Sequence, residues 1–117
     1  GMRGYTSVAA GGATGMESFT SVGWTESDNF NENYLIPELR RAMPDIRWRG
    51  GKNGNLGKEA GFYMLRNTDC PAVLIEWNFM TTYDPDAKII LDPARQRTYV
   101  DAIYNSIDRY NEDRKAD

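Results

Sequence analysis

The sequence predicts an α/β fold, a mixed and mostly parallel sheet with helices packed on its faces, and three observations carry that prediction. AVLIEW (72–77) is a continuous, β-branched apolar run introduced by Pro71, where a missing N–H costs least. It reads as a strand in mid-sheet, covered on both sides. Phe30, Tyr34, Leu35, Leu39 and Ala42/Met43 recur every three to four residues, the spacing of a helix with one apolar face. Pro93 suits the first turn of a last helix running to about Glu112, with Val100, Ile103, Ile107 and Tyr110 as its buried stripe. At 117 residues the chain has room for one hydrophobic core.

The other elements follow from local chemistry. Residues 1–13 are rich in Gly, Ala, Ser and Thr and read as a flexible lead-in, which leaves 14–117 as the folded domain. Met16, Phe19 and Val22 alternate imperfectly with polar residues, predicting a strand over 14–22 with one face buried and Gly23 at its end. Ser27 or Asp28 offers the N-cap of the first helix. Pro37 lies inside that helix's pattern, where it removes a donor and clashes with the preceding turn, so a kink or restart is expected there. Pro44 closes the helix, and IRWR (46–49) reads as a short strand. Residues 50–61 are glycine-rich and polar, a long turn or flap, and FYML (62–65) is apolar but of undecided type. Asp84 is the expected cap of a short helix through Leu91. The order β-α-β-loop-β-α-α suits helices layered over a sheet.

Composition removes several functions. The chain has no histidine, which excludes Ser-His-Asp and Cys-His catalysis and HExxH zinc sites built from its own residues. Its single cysteine, Cys70, excludes an internal disulfide and thiolate clusters, and is expected to be a buried, inert thiol. A net charge of −3 without a basic block argues against nucleic acid. No stretch reaches the roughly 18 apolar residues of a membrane span, and the first residues lack the charged-then-apolar order of a signal peptide.

Glu76 is the residue out of place. A carboxylate near the end of an apolar strand is costly to desolvate unless a partner compensates it. One reading is a structural ion pair with Arg47, Arg49 or Arg66. The other is functional, because strand ends in α/β sheets open onto ligand crevices, where a half-buried Glu would have a raised pKa suited to proton transfer. Trp24, Trp48 and Trp77 could stack on a ligand or simply fill the core. Arg40, Arg41, Arg47, Arg49 and Lys52 form either an anion-attracting surface or a solvated face.

The segment FYMLRNTDCPAVLIEWNFMTTYDPDAKIIL (62–91) resembles the late part of the zinc-dependent N-acetylmuramoyl-L-alanine amidases of the cell-wall hydrolase type. GMESFT (15–20) is similar to that family's Gly-x-Glu strand, and Ser27-Asp28 precedes the first helix as in the family. The resemblance covers about residues 14 to 112. It implies the C-terminal part of that catalytic fold, a truncated version of it, with Glu76 as the catalytic general base acting on metal-bound water, and Arg66 and Trp77 as substrate-binding candidates. Trp77 departs from the family, which usually has Gly or another small residue there. Zinc in the complete family domain is held by two His and one Glu that precede the Gly-x-Glu strand. None is therefore expected to bind this chain, and the chain alone is expected to be inactive. The implied partner is peptidoglycan and the implied place of action extracytoplasmic. The alternative is a non-catalytic peptidoglycan-binding or interaction module. A homo-oligomer formed through an exposed sheet edge is also expected.

Overall fold

The computed structural model describes residues 12–52, 54–67 and 69–116. Its organising element is β1 (Met16–Thr20), which lies between the other two strands in the order β2-β1-β3. β2 (Lys58–Glu59) runs parallel to β1, pairing Lys58 with Phe19. β3 (Leu74–Trp77) runs antiparallel, with Trp77, Glu76, Ile75 and Leu74 opposite Met16, Glu17, Ser18 and Phe19. The sheet is thus mixed.

Alternation along β1 assigns its two faces. Met16 belongs to a core with Leu35, Leu39, Met43 and Ala102, against which Ile75, Trp77, Trp48 and Tyr99 also pack. Ser18 donates to the Asn31 side chain at 2.8 Å, and Thr20 donates to Asp28, so these polar residues are buried with partners. Glu17 and Phe19 point the other way. The expected single buried face of this strand becomes two, since four of its five residues are buried.

The first helical stretch runs as α1 (Glu26–Phe30), a π-helical segment (Asn31–Leu35) and α2 (Ile36–Ala42). Pro37 explains the break. The Ile36 N–H reaches back five residues to the Asn31 carbonyl, and Pro37 then falls in the first turn of α2, where no donor is needed. The cap is Thr25, not Ser27 or Asp28: its hydroxyl accepts from the Asp28 N–H while the Asp28 carboxylate accepts from the Thr25 N–H, a reciprocal capping box. Ser27 instead accepts from the Ala72 N–H at 2.9 Å, tying α1 to the approach of β3.

The 46–49 run makes only a bridge, Met16 to Trp48, with Met16 N–H bonding the Arg47 carbonyl and Arg49 N–H the Met16 carbonyl. Gly15, at φ +109°, lets the backbone pass the Arg47 carbonyl so closely that a Cβ would collide with it. FYML resolves as a one-turn helix, α3 (Tyr63–Arg66). A π-helical turn (Tyr83–Ala87) leads into α4 (Lys88–Leu91), with the Asp84–Pro85 peptide cis. The cap positions are Thr82 and Ala87 rather than Asp84, whose carboxylate stands 3.9 Å from the Lys88 ammonium.

α5 (Pro93–Ala116) crosses the core face of the sheet. Its buried stripe is Ala102, Ser106 and Tyr110 with Tyr99 and Ile103 packed beside them, while Val100 and Ile107 are exposed, correcting the expected stripe. Small residues at the closest approach let the helix lie near its neighbours, which outweighs the larger apolar side chains one step around.

β3 also differs from expectation. It pairs only with β1, and Leu74 and Glu76 are exposed while Ile75 and Trp77 are half-buried. The described residues supply no further strand beyond it. Most of the expected lead-in lies outside the described residues; Ala13, at its end, accepts a bond from the Thr82 hydroxyl at 2.7 Å.

Asp86 holds both ends of the β1–β3 pair. Buried, it accepts from the Gly15 N–H just before β1 and from the Phe79 N–H just after β3, each at 2.8 Å. Asn78, at φ 62°, turns the chain between them. Asp86→Ala strands two backbone donors and should lower stability by about 2–4 kcal/mol, read as a fall in the urea midpoint without a change in slope.

Candidate functional site

The antiparallel register sets Glu17 directly opposite Glu76 on the face of the sheet away from the core. Two opposed carboxylates repel unless other charges relieve them. Two cations do so here. The buried Glu17 carboxylate accepts from Arg49 Nε at 3.0 Å and from Lys58 Nζ at 2.9 Å, both on the same oxygen. Burial works against its charge, but the bonds from Lys58, Arg49 and the Glu76 carboxyl outweigh it, so its pKa is held below the ordinary 4.5.

Glu76 moves in the opposite direction. Loss of water around its carboxyl, then the hydrogen bond and charge of Glu17, raise its pKa above 4.5, against a smaller opposing pull from Lys58. Glu76 is exposed as a residue, yet its acid group leans on a buried anion. The pair therefore behaves as one unit: a carboxylate anchored by two cations, opposite a carboxyl whose pKa is raised. Arg49 is itself positioned by the Thr14 carbonyl at 3.2 Å and by the Phe79 ring, 5.0 Å from its guanidinium carbon.

This arrangement revises the expected partners. Arg49 reaches Glu17 rather than Glu76, and neither Arg47 nor Arg66 forms an ion pair with Glu76 among the described residues. Arg66, on α3, lines a separate depression with Cys70, Ser27 and Tyr110 and is not beside the carboxyl pair. Trp77, the other substrate-binding candidate, is sent by alternation to the core face, where it stacks on Tyr99 with ring centroids 4.2 Å apart. Trp48 also packs at the core and donates to the Leu56 carbonyl at 2.7 Å, whereas Trp24 is 76% exposed. Cys70 is exposed, not buried, because the 69–71 turn lies on the surface. Of the candidate cations, Arg41 pairs with Glu38, and Arg40, Arg47 and Lys52 are exposed.

Glu17 is the residue that sequence reasoning passed over as a partner for Glu76. Two glutamates, each in a short strand with apolar neighbours, were the available signal; antiparallel pairing was the missing one. The zinc implied by the family resemblance does not fit these donors. The chain has no histidine, the described residues contain no cluster of three potential ligands, and the Glu17 oxygen nearest the pair is already taken by two cations.

Beside the pair, Phe19, Lys58 and the 50–57 loop enclose a depression of about 580 Å³. Phe19 meets Phe62 edge-on at 5.6 Å, which makes its floor aromatic.

Comparison with known proteins gives these features a family. The profile described as N-acetylmuramoyl-L-alanine amidase (Amidase_3) matches residues 6–109. No curated protein sequence matches the chain significantly. Among solved structures, the CwlD amidase of Clostridioides difficile, determined in complex with the GerS lipoprotein, shares 23% identity at a TM-score of 0.72, over 90% of this chain and 50% of that one. An N-acetylmuramoyl-L-alanine amidase from Clostridium difficile 630 shares 24% identity at a TM-score of 0.72, over 89% and 53%. The catalytic domain of CwlV from Bacillus (Paenibacillus) polymyxa var. colistinus shares 19% at 0.67, over 90% and 52%. The chain thus spans about half the length of the structures it matches. By the extent of the profile match, the chain belongs to the Amidase_3 family of N-acetylmuramoyl-L-alanine amidases.

Proposed function

We propose that this chain forms the proton-transferring side of a peptidoglycan amidase site, with Glu76 as the carboxyl that exchanges a proton with the amide between N-acetylmuramic acid and L-alanine. The observation that carries this reading is the Glu17–Glu76 pair on an open sheet face, in a chain whose family match spans residues 6–109. Lys58 and Arg49 lower the pKa of Glu17, desolvation and Glu17 raise that of Glu76, so the pair shares a proton more readily than two free carboxyls would, and Glu76 is exposed. Zinc, in the complete family domain, would supply the activated water; the described donors do not form its site, so the chain by itself does not hydrolyse the bond. Action is then extracytoplasmic, where peptidoglycan lies. Among the described residues, no helix is long and apolar enough to cross a membrane.

The incomplete donor set also favours a second reading, a non-catalytic peptidoglycan-binding module on the amidase fold. Purified peptidoglycan separates the claims. The chain should be retained on it above a control protein, and with added zinc should release no new L-alanine amino termini. Lack of retention would count against both readings, and hydrolysis by the chain alone would show that its site is complete.

The proton-sharing claim has its own test. Carboxyl NMR titration should find Glu76 titrating above 4.5 and Glu17 below it; Glu17→Gln should move Glu76 back toward the ordinary value. For stability the signs differ. Glu76, with its pKa raised, favours the folded state most below the unfolded pKa of 4.5, and that contribution is lost as pH rises through the raised value. Glu17, with its pKa lowered, contributes above 4.5, and its share is lost as pH falls through the lowered value. Glu76→Gln should therefore gain stability relative to wild type as pH rises above about 4.5. An equal difference at all pH values would contradict the shared proton.

The outer edge of β3 has no strand partner among the described residues, which supports the expected self-association through that edge. Sedimentation at high concentration should show a dimer that Leu74→Lys weakens. A compact monomer at every concentration would remove this claim.

A further inference from the structure

We infer that the depression between the end of α2 and the 43–48 turn binds a small organic phosphate, with Arg40 and Arg41 holding the anion over an apolar floor of Met43, Ile46 and Trp48. The inference uses neither the carboxyl pair nor the amidase reading.

Alternation through the 46–49 run separates this depression from the pair. Ile46 and Trp48 pack on the core side, whereas Arg49 points the other way and reaches Glu17. The two sites therefore lie on opposite faces of the sheet. Arg40 and Arg41 occupy the last turn of α2, where cations suit the carbonyl end of a helix. That role needs charge alone. It requires no concave apolar floor, yet both arginines line one here, with Pro44 completing the wall.

The two cations are available to a ligand. Arg40 is exposed and has no ion-pair partner among the described residues. Arg41 gives Nη1 to Glu38 at 2.7 Å, and the described residues take neither its Nε nor its Nη2 donors. Among the described residues no acid lines the depression. The two acids nearest in sequence are committed elsewhere. Glu38 is buried and also accepts from Arg109 at 2.6 Å, and Asp45 accepts from Arg95 Nη2 at 2.8 and 3.0 Å.

The floor is held in place by bonds of its own. The Met43 N–H reaches the Leu39 carbonyl at 2.9 Å, and the Ile46 N–H closes the turn on the Met43 carbonyl at 3.2 Å. The Asp45–Arg95 pair fastens that turn to α5. Trp48 donates its indole N–H to the Leu56 carbonyl at 2.7 Å, which fixes the plane of its ring.

Size and charge together define the ligand. The depression has a volume of about 340 Å³, within the roughly 300–1,000 Å³ of small-molecule sites. An aromatic ring needs about 150 Å³ of such space, so a ring and an anionic head fit together. Two guanidinium forks offer more donors than the two oxygens of one carboxylate can satisfy, whereas the three terminal oxygens of a phosphate monoester can bridge both. The body attached to that phosphate lies on Trp48 and Ile46. The ligand class is a phosphate monoester with a flat or short aliphatic apolar group.

The test is an NMR titration of the intact chain with phenyl phosphate, inorganic phosphate, phenylacetate and benzyl alcohol, read at the Trp48 indole N–H and the Ile46 methyls. Phenyl phosphate should bind about tenfold more tightly than inorganic phosphate, which lacks the apolar body, and than benzyl alcohol, which lacks the charge. Phenylacetate should bind more weakly than phenyl phosphate. Arg40→Gln, at an exposed position that leaves the fold intact, should weaken phenyl phosphate about tenfold and leave benzyl alcohol unchanged. Equal affinity for phenyl phosphate and either inorganic phosphate or benzyl alcohol would overturn the site, as would undiminished binding by Arg40→Gln or shifts confined to the Glu17–Arg49 face. Phenylacetate binding as tightly as phenyl phosphate would overturn the phosphate class.

Discussion

The ionic anchoring of Glu17 is the interaction on which the sheet depends. A carboxylate in the central strand, buried on a face that the core does not use, would be untenable without cations drawn from both sides of it. Arg49 comes from the bridge region and Lys58 from β2, so the same two bonds that satisfy Glu17 also fasten the two segments flanking the 50–57 loop to β1. Sheet assembly and site electrostatics are one event. Removing Glu17's charge would leave the segments held to β1 by their backbone bonds alone, and removing either cation would leave the anion under-compensated beside Glu76.

Glu76 depends on that arrangement in a way its own environment does not show. It is exposed, and an exposed glutamate in isolation would titrate as a free side chain. Its neighbour changes that, since a second charge opposite a pinned carboxylate is disfavoured and the Glu76 pKa is raised. The pairing of Glu76 with Glu17 is a property of the register between β1 and β3. A one-residue slip of β3 would carry Glu76 to the core and Trp77 to solvent.

Much of this was legible in the sequence, and the gaps have physical causes. Pro37 and Pro93 announced a helix restart and a helix start because proline's missing donor has few tolerable positions. Glu76 was conspicuous because its neighbours are apolar. Thr25 was overlooked as the cap because Ser27 and Asp28 offered the same chemistry two and three residues on; geometry alone chose among them. Asp86 gave no signal, since its partner Gly15 lies 71 residues away. The stripe of α5 misled because large apolar residues mark burial in general, whereas the tightest contact was reserved for Ala102 and Ser106. β3 reads as a strand covered on both faces, whereas Leu74 and Glu76 are exposed on the side away from the core.

The Trp77–Tyr99 stack lies directly behind Glu76, on the next residue of the same strand and the opposite face. Parallel rings 4.2 Å apart resist rotation of that strand about its axis. The aim of the acid group is thereby set by a helix that touches neither it nor its partner Glu17. The helix α5 acts as a backstop, so changes in the length or bulk of the side chain at position 99 would tilt the strand and shift the Glu76 carboxyl on its far side. The site's precision is inherited from hydrocarbon packing on the dry side of a single strand.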